Sequence, residues 1–132
     1  MNVVVAVDTS GSITKNTLNE FIGEVIKLSR SFEFVNVTIL TCDAKVQDVF
    51  RLRNRKMIRK IKNIRIHGGG GTSFVPVFNW IHENQKNAKV LIYLTDGYGI
   101  YPKDETIPTI WVTTGRNPPP PFKKVIKVKR NV

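Results

Sequence analysis

Asn2-Val-Val-Val-Ala-Val7, closed by Asp8 and followed by Thr9-Ser-Gly-Ser12, is the stretch on which the fold turns. An unbroken β-branched run of this kind belongs to a strand buried on both faces, and such strands occur in parallel sheets covered by helices. The pattern returns at Lys89-Val-Leu-Ile-Tyr-Leu-Thr95, again ending at an aspartate, Asp96, with the turn former Gly97 behind it. Two central strands are expected, each carrying a carboxylate to its carboxyl end.

Working outward, Leu18, Phe21, Ile22, Val25, Ile26 and Leu28 follow helical spacing, so a helix is predicted over roughly residues 15–31 with Thr14 as its N-cap. A second β-branched run covers Val35 to Cys42, and Asp43-Ala-Lys45 leads at once into Val46-Gln-Asp-Val-Phe-Arg-Leu52. That link is too short for a parallel crossover, so the third strand runs antiparallel to the second. Its basic and polar alternation suits a sheet edge. Met57, Ile58, Ile61 and Ile64 predict a short helix with a basic outer face, ending before His67 and Gly68–Gly71. Thr72-Ser73 then open another helix, with Phe74, Val77, Phe78 and Ile81 as its buried stripe, flanked by Trp80 and His82; Pro76 is tolerated in the first turn. Thr109–Thr113 and Lys124–Lys129 complete the strands, separated by the rigid Pro118–Pro121 loop.

The alternation β-α-β-β-α-α-β-β-β predicts a single Rossmann-like, three-layer α/β domain over residues 1–132, with a mostly parallel six-stranded sheet flanked by helices. Right-handed crossovers give the order 3-2-1-4-5-6 with strand 3 antiparallel. Strands 1 and 4 are then neighbours at the topological switch point, where ligands bind beside the strands' carboxyl ends. Asp8 and Asp96 both fall there.

Composition narrows the classes. The chain has 132 residues, of which 41% are hydrophobic, enough for one core without disulfides. The lone cysteine, Cys42, rules out an internal disulfide and a cysteine-rich zinc site and suits a reducing, cytoplasmic setting. No stretch approaches the roughly 20 apolar residues of a membrane span, and the run after Met1 lacks a cleavage pattern, so a soluble, non-exported chain is expected. A start at the first strand fits a domain of a longer protein or a minimal chain equally. The formal charge of +11 predicts a field attractive to nucleic acid, acidic proteins or anionic surfaces. Eight of the 21 basic residues fall between Arg51 and Arg65 and five more between Lys123 and Arg130; a solvated face accounts for them as well as a binding face does.

Three loops should converge on one crevice: Asp8–Ser12, Gly71-Thr72-Ser73 and Thr95-Asp96-Gly97. Alternate residues of an extended turn point to one side, which brings Asp8, Ser10 and Ser12 together as one carboxylate and two hydroxyls. Thr72 adds a third hydroxyl, and Asp96 binds directly or through a water. All are oxygen donors, which suit a hard cation, Mg²⁺ or alternatively Mn²⁺ or Ca²⁺, and not zinc or copper. Two carboxylates would offset the ion's charge and leave an electrophilic position for a partner's Asp or Glu. Asp43, Ser73 and Tyr98 are assigned to the surroundings of this shell or to the partner rim. For Asp43 two roles stand side by side: orienting a metal-bound water or serine hydroxyl, or capping its own hairpin turn. Tyr101 shares the rim loop with Tyr98.

Asp8-Thr-Ser-Gly-Ser12 resembles the DxSxS motif of von Willebrand factor A (VWA) domains, and Thr72 and Asp96 match that family's threonine and second aspartate. The resemblance runs over essentially the whole chain and implies a metal-ion-dependent adhesion site (MIDAS) on those five residues. The chain is more similar still to bacterial VWA-like domains at the C-terminus of predicted metallopeptidases, through Cys42-Asp43-Ala44, Gly68–Thr72, Phe74–Phe78 and Leu94–Gly97. Where those relatives are expected to carry an acidic residue after the threonine, this chain has Ser73. The similarity covers the VWA-like part alone, so protease activity does not carry over.

The function expected is a non-enzymatic, metal-dependent protein-interaction module; relatives that work with AAA+ ATPase complexes make such a complex a conceivable partner. A second reading uses the basic clusters as a nucleic-acid face, without a base-reading motif. A third, Mg²⁺-dependent phosphohydrolase, lacks the second aspartate two residues after the first, a position held by Ser10. Gly68–Gly71 has no Gly-Lys-Ser/Thr ending and so is no P-loop.

Overall fold

The computed structural model describes residues 2–9, 14–31, 36–52, 73–114 and 118–127, without the side chains of 25–31 and 52. The first strand, β1 (Asn2–Asp8), lies in the middle of the sheet because between Asn2 and Asp8 it has nothing polar to offer solvent. It pairs in parallel with β2 (Asn36–Cys42) on one side and with β4 (Ala88–Thr95) on the other. The six strands run β3-β2-β1-β4-β5-β6, with β3 (Val46–Leu52) antiparallel to β2 and with β5 (Thr109–Thr113) and β6 (Val125–Lys127) parallel to their neighbours. Topology, the antiparallel third strand and the switch between β1 and β4 are those expected.

Successive side chains of β1 serve opposite layers, as the strand period requires. Val3, Val5 and Val7 pack with Leu18 and Ile22 of helix α1 (Lys15–Ser31) and with Ile39, Leu94 and Val112. Val4 and Ala6 pack on the other face with Val77, Phe78 and Ile81 of helix α2 (Val75–Asn84). Thr14 caps α1 as predicted, its Oγ1 accepting the Thr17 N–H at 3.2 Å.

One boundary differs. Helix α2 begins at Val75 and not at Thr72-Ser73, and its capping residue Phe74 makes no side-chain cap. Ser73 instead forms an isolated parallel bridge with Ile100, and the Phe74 N–H donates to the Ile100 carbonyl at 2.9 Å. A long-range backbone pairing therefore engages Ser73 and the Phe74 N–H and delays the helix. The predicted helix around Met57–Ile64, the Gly68–Gly71 run and the end of the last predicted strand lie outside the described residues.

Trp111 is fully buried at the centre of an aromatic group on the α2 side. Its ring stacks on Tyr93 at 5.0 Å and on Phe122 at 5.6 Å, and meets Phe74 and Tyr101 edge-on at 5.5 and 5.3 Å. Each such pair contributes roughly 0.5–1.5 kcal/mol beyond its area. Together they tie the 96–108 loop and the segment before β6 to the sheet. Among the described residues no helix is long and apolar enough to cross a membrane.

Candidate metal centre

Asp8 ends β1, and Asp96 follows Thr95, the last residue of β4. Because these two strands are parallel neighbours in register from Val3↔Val90 to Val7↔Leu94, both carboxylates leave the sheet at the same edge. Asp8 is fully buried and Asp96 is 7% exposed.

A threonine joins the strand ends. The Thr95 hydroxyl donates to Asp8 Oδ2 at 2.7 Å and accepts the Gly97 N–H at 3.1 Å. Its single proton is thereby committed to the carboxylate, and a charge-assisted bond of this length is among the stronger ones available to a neutral donor. Asp96 Oδ1 accepts the Tyr98 N–H at 3.0 Å, closing a turn that Gly97 permits by adopting φ 83°. The turn is braced from outside by the Tyr101 hydroxyl, which donates to the Gly97 carbonyl at 3.1 Å. On the β1 side, the Thr9 N–H and hydroxyl both donate to the Cys42 carbonyl, at 2.8 and 3.2 Å, and so set the direction in which the chain leaves the strand.

The two carboxylates act on a common neighbour. Burial first, and then the charges of Asp96 and Asp8, push the Tyr101 hydroxyl up to about 12. Two carboxylates concentrated at one largely dry edge form a negative focus, and a divalent cation offsets it. Among the described residues the ends of β1 and β4 offer hard oxygen donors. Among the described residues no three His, Cys, Asp or Glu side chains gather at one place, so hydroxyls, waters or a partner would have to complete any shell around the Asp8–Asp96 pair. Ser10, Ser12 and Thr72 lie outside the described residues.

Asp43 takes up the hairpin role: its Oδ1 accepts the Lys45 N–H at 3.1 Å and the Gln47 side-chain amide at 3.0 Å. Burial would raise its carboxyl, but these bonds and those from neighbouring backbone N–H groups outweigh it and lower the value. Ser73 Oγ accepts the Val75 N–H at 3.4 Å, and Tyr98 projects into solvent from the rim. The thiol of Cys42 is buried beneath the site, 3.3 Å from both the Val7 carbonyl and the Tyr93 hydroxyl, and burial pushes it up to about 12. It is held as a neutral packing group and not as a thiolate ligand.

Sequence reasoning had no place for the hydroxyl of Thr95 as the strut of Asp8, nor for Tyr101 as the brace of Gly97. A threonine closing a buried strand just before the second aspartate was the available signal for the first; the second carried none. A cavity of about 260 Å³ among Ile81, Gln85, Ala88 and Ile107 lies at the opposite, amino-terminal end of β4.

A family model described as a VWA-like domain (DUF2201) matches residues 3–129. An uncharacterized protein of Thermotoga maritima is 29% identical over 96 residues, which are 73% of this chain and 23% of that protein; the chain thus spans about a quarter of the length of the curated relative it matches. Two solved structures share the fold at 14% identity, each covering 86% of this chain and 66% of theirs. They are BatB, a conserved hypothetical protein of Bacteroides thetaiotaomicron (TM-score 0.64), and an aerotolerance-related membrane protein of Bacteroides fragilis (TM-score 0.62).

Proposed function

The chain belongs to the VWA-like domain family, and from that premise we propose that it is a non-catalytic, metal-dependent protein-interaction module. In this reading Asp8 and Asp96, with Ser10, Ser12 and Thr72, hold a Mg²⁺ ion at the carboxyl edge of the sheet. An Asp or Glu from a partner protein takes a remaining position on the ion. The observation that carries the reading is the pairing of two carboxylates across the switch point, with Thr95 fixing Asp8 Oδ2 at 2.7 Å. Carboxylates pre-set in this way need little rearrangement when the ion arrives. When bound, the cation supplies an electrophilic docking point; Thr95, Gly97 and Tyr101 keep the carboxylates where it can form.

The net charge of +11 has a part in this reading, drawing an acidic partner in at long range. The single buried thiol agrees with a reducing, cytoplasmic location. Titration calorimetry with Mg²⁺, and with Mn²⁺ as a second probe, tests the proposal: saturable binding by the chain and its loss in Asp8→Ala are expected. Equal heats from both proteins would refute it.

A further inference from the structure

Tyr98 and Ile100 are the two most exposed large hydrophobic side chains among the described residues, at 70% and 68%. They stand two and four residues beyond Asp96, on the loop that leaves the candidate metal centre. Hydrogen bonds hold the backbone at both positions. Tyr98 donates its N–H to Asp96 Oδ1 at 3.0 Å, Gly97 between them is braced by Tyr101, and Ile100 is paired with Ser73 and accepts the Phe74 N–H at 2.9 Å. The same loop buries Tyr101 against Phe74 at 4.6 Å, with Trp111 and Phe122 beyond it. Tyr101 and Ile107 thus anchor the loop to the core while its two other large apolar side chains, Tyr98 and Ile100, are turned to water. Rigid backbone beneath exposed aromatic and aliphatic groups is the arrangement of a contact surface, since binding then costs little ordering.

We propose that Tyr98 and Ile100 form an apolar platform that selects the partner segment: an extended stretch of an acidic protein in which the metal-binding Asp or Glu has a large apolar residue close to it in sequence. This rests on the metal-centre reading above and adds a specificity that the ion alone lacks. The span fixes the spacing. Two and four residues of chain reach at most about 7 and 14 Å from Asp96, so the apolar side chain falls within about four positions of the acidic one in an extended ligand. The chain as a whole carries +11, which draws an acidic protein partner in at long range.

The test is selection from a random peptide library displayed on phage, with the full chain as bait, in Mg²⁺ and in EDTA. It is repeated with the Tyr98→Ser/Ile100→Ser double variant and with Asp8→Ala. Folding of the double variant, read by circular dichroism and melting temperature, should be unchanged, as for other highly exposed side chains. Peptides retained in Mg²⁺ should carry an acidic residue with an apolar neighbour and lose roughly tenfold or more in affinity for the double variant, the scale on which aromatic anchors act. Calorimetric Mg²⁺ binding by that variant should match the unaltered chain. Mg²⁺-dependent acidic peptides that show no apolar preference, or that bind the double variant equally, overturn the platform and leave the metal centre standing. Retention that ignores EDTA and Asp8→Ala, or no retention at all, overturns both. Self-association of the unaltered chain that the double variant abolishes would give the platform to a second copy of the chain and overturn the inference.

Discussion

Thr95→Val isolates the strut beneath the candidate metal centre, because valine keeps the shape of threonine and removes only its hydroxyl chemistry. Thr95 is fully buried, so no solvent stands ready to replace what is lost. Asp8 Oδ2 loses a donor at 2.7 Å, and a hydrogen bond to a charged group contributes about 2 kcal/mol. The Gly97 N–H loses its acceptor at 3.1 Å, and an unsatisfied buried N–H costs about 1.5 kcal/mol. The added methyl offsets about 0.8 kcal/mol of this by its own burial. The net destabilisation is about 2.7 kcal/mol. Thr95→Ser keeps both bonds, gives up one buried methyl and should cost about 1 kcal/mol. Urea denaturation in EDTA, followed by circular dichroism, measures both without any contribution from bound metal. A Thr95→Val loss below about 0.5 kcal/mol, or a serine variant less stable than the valine one, would refute the assignment of the hydroxyl as the link between Asp8 and Gly97, since mutational shifts that small are ordinary surface effects.

Saturating Mg²⁺ should stabilise the unaltered chain by about 2.7 kcal/mol at a hundredfold excess over Kd, and Asp8→Asn should abolish the shift in a thermal melt; an equal shift in both would remove Asp8 from the ligand set. Trp111→Ala should cost about 3–5 kcal/mol and Trp111→Phe much less, since the phenyl ring keeps part of the stacking on Tyr93 and Phe122; near-equal denaturation midpoints for the two would contradict the stacked geometry. Gly97→Ala places a side chain at φ 83° and should lose about 1 kcal/mol or more, read by the same denaturation assay. Burial raises the Cys42 thiol from 9.0 to about 12, so its contribution to stability is complete below pH 9 and is lost as pH climbs through 12. The slope of stability against pH in that window should be shallower in Cys42→Ala by up to about 1.4 kcal/mol per pH unit, and an unchanged slope would mean that the thiol is not held neutral by the fold.

Much of the architecture was legible because it depends on local pattern and on connection length. The unbroken apolar run from Val3 to Val7 called for a strand covered on both faces, and its alternate residues do face α1 and α2. Three residues, Asp43 to Lys45, cannot carry a chain across a sheet, so β3 has to run antiparallel to β2, as it does. From those two constraints and right-handed crossovers followed the strand order, and from the order the meeting of Asp8 and Asp96 at one edge. Less legible was whatever depends on a partner distant in sequence. The late start of α2 comes from Ser73 and Phe74 pairing with Ile100, and the part of Asp43 in its hairpin depends on the Gln47 amide and the Lys45 N–H that meet at its Oδ1.

By itself, then, the sequence determined which residues form the sheet, in what order the strands lie, and that two aspartates end the strands at its switch point, since periodicity and chain reach depend on covalent neighbours alone. Only the tertiary structure decided how those aspartates are held. The hydrogen bond from Thr95 to Asp8 joins residues 87 positions apart, and the Tyr101 brace and the exposure of Tyr98 and Ile100 depend on which aromatic rings meet Trp111 in the core. Contacts of that kind are set by packing, where distance in space has no counterpart in distance along the chain.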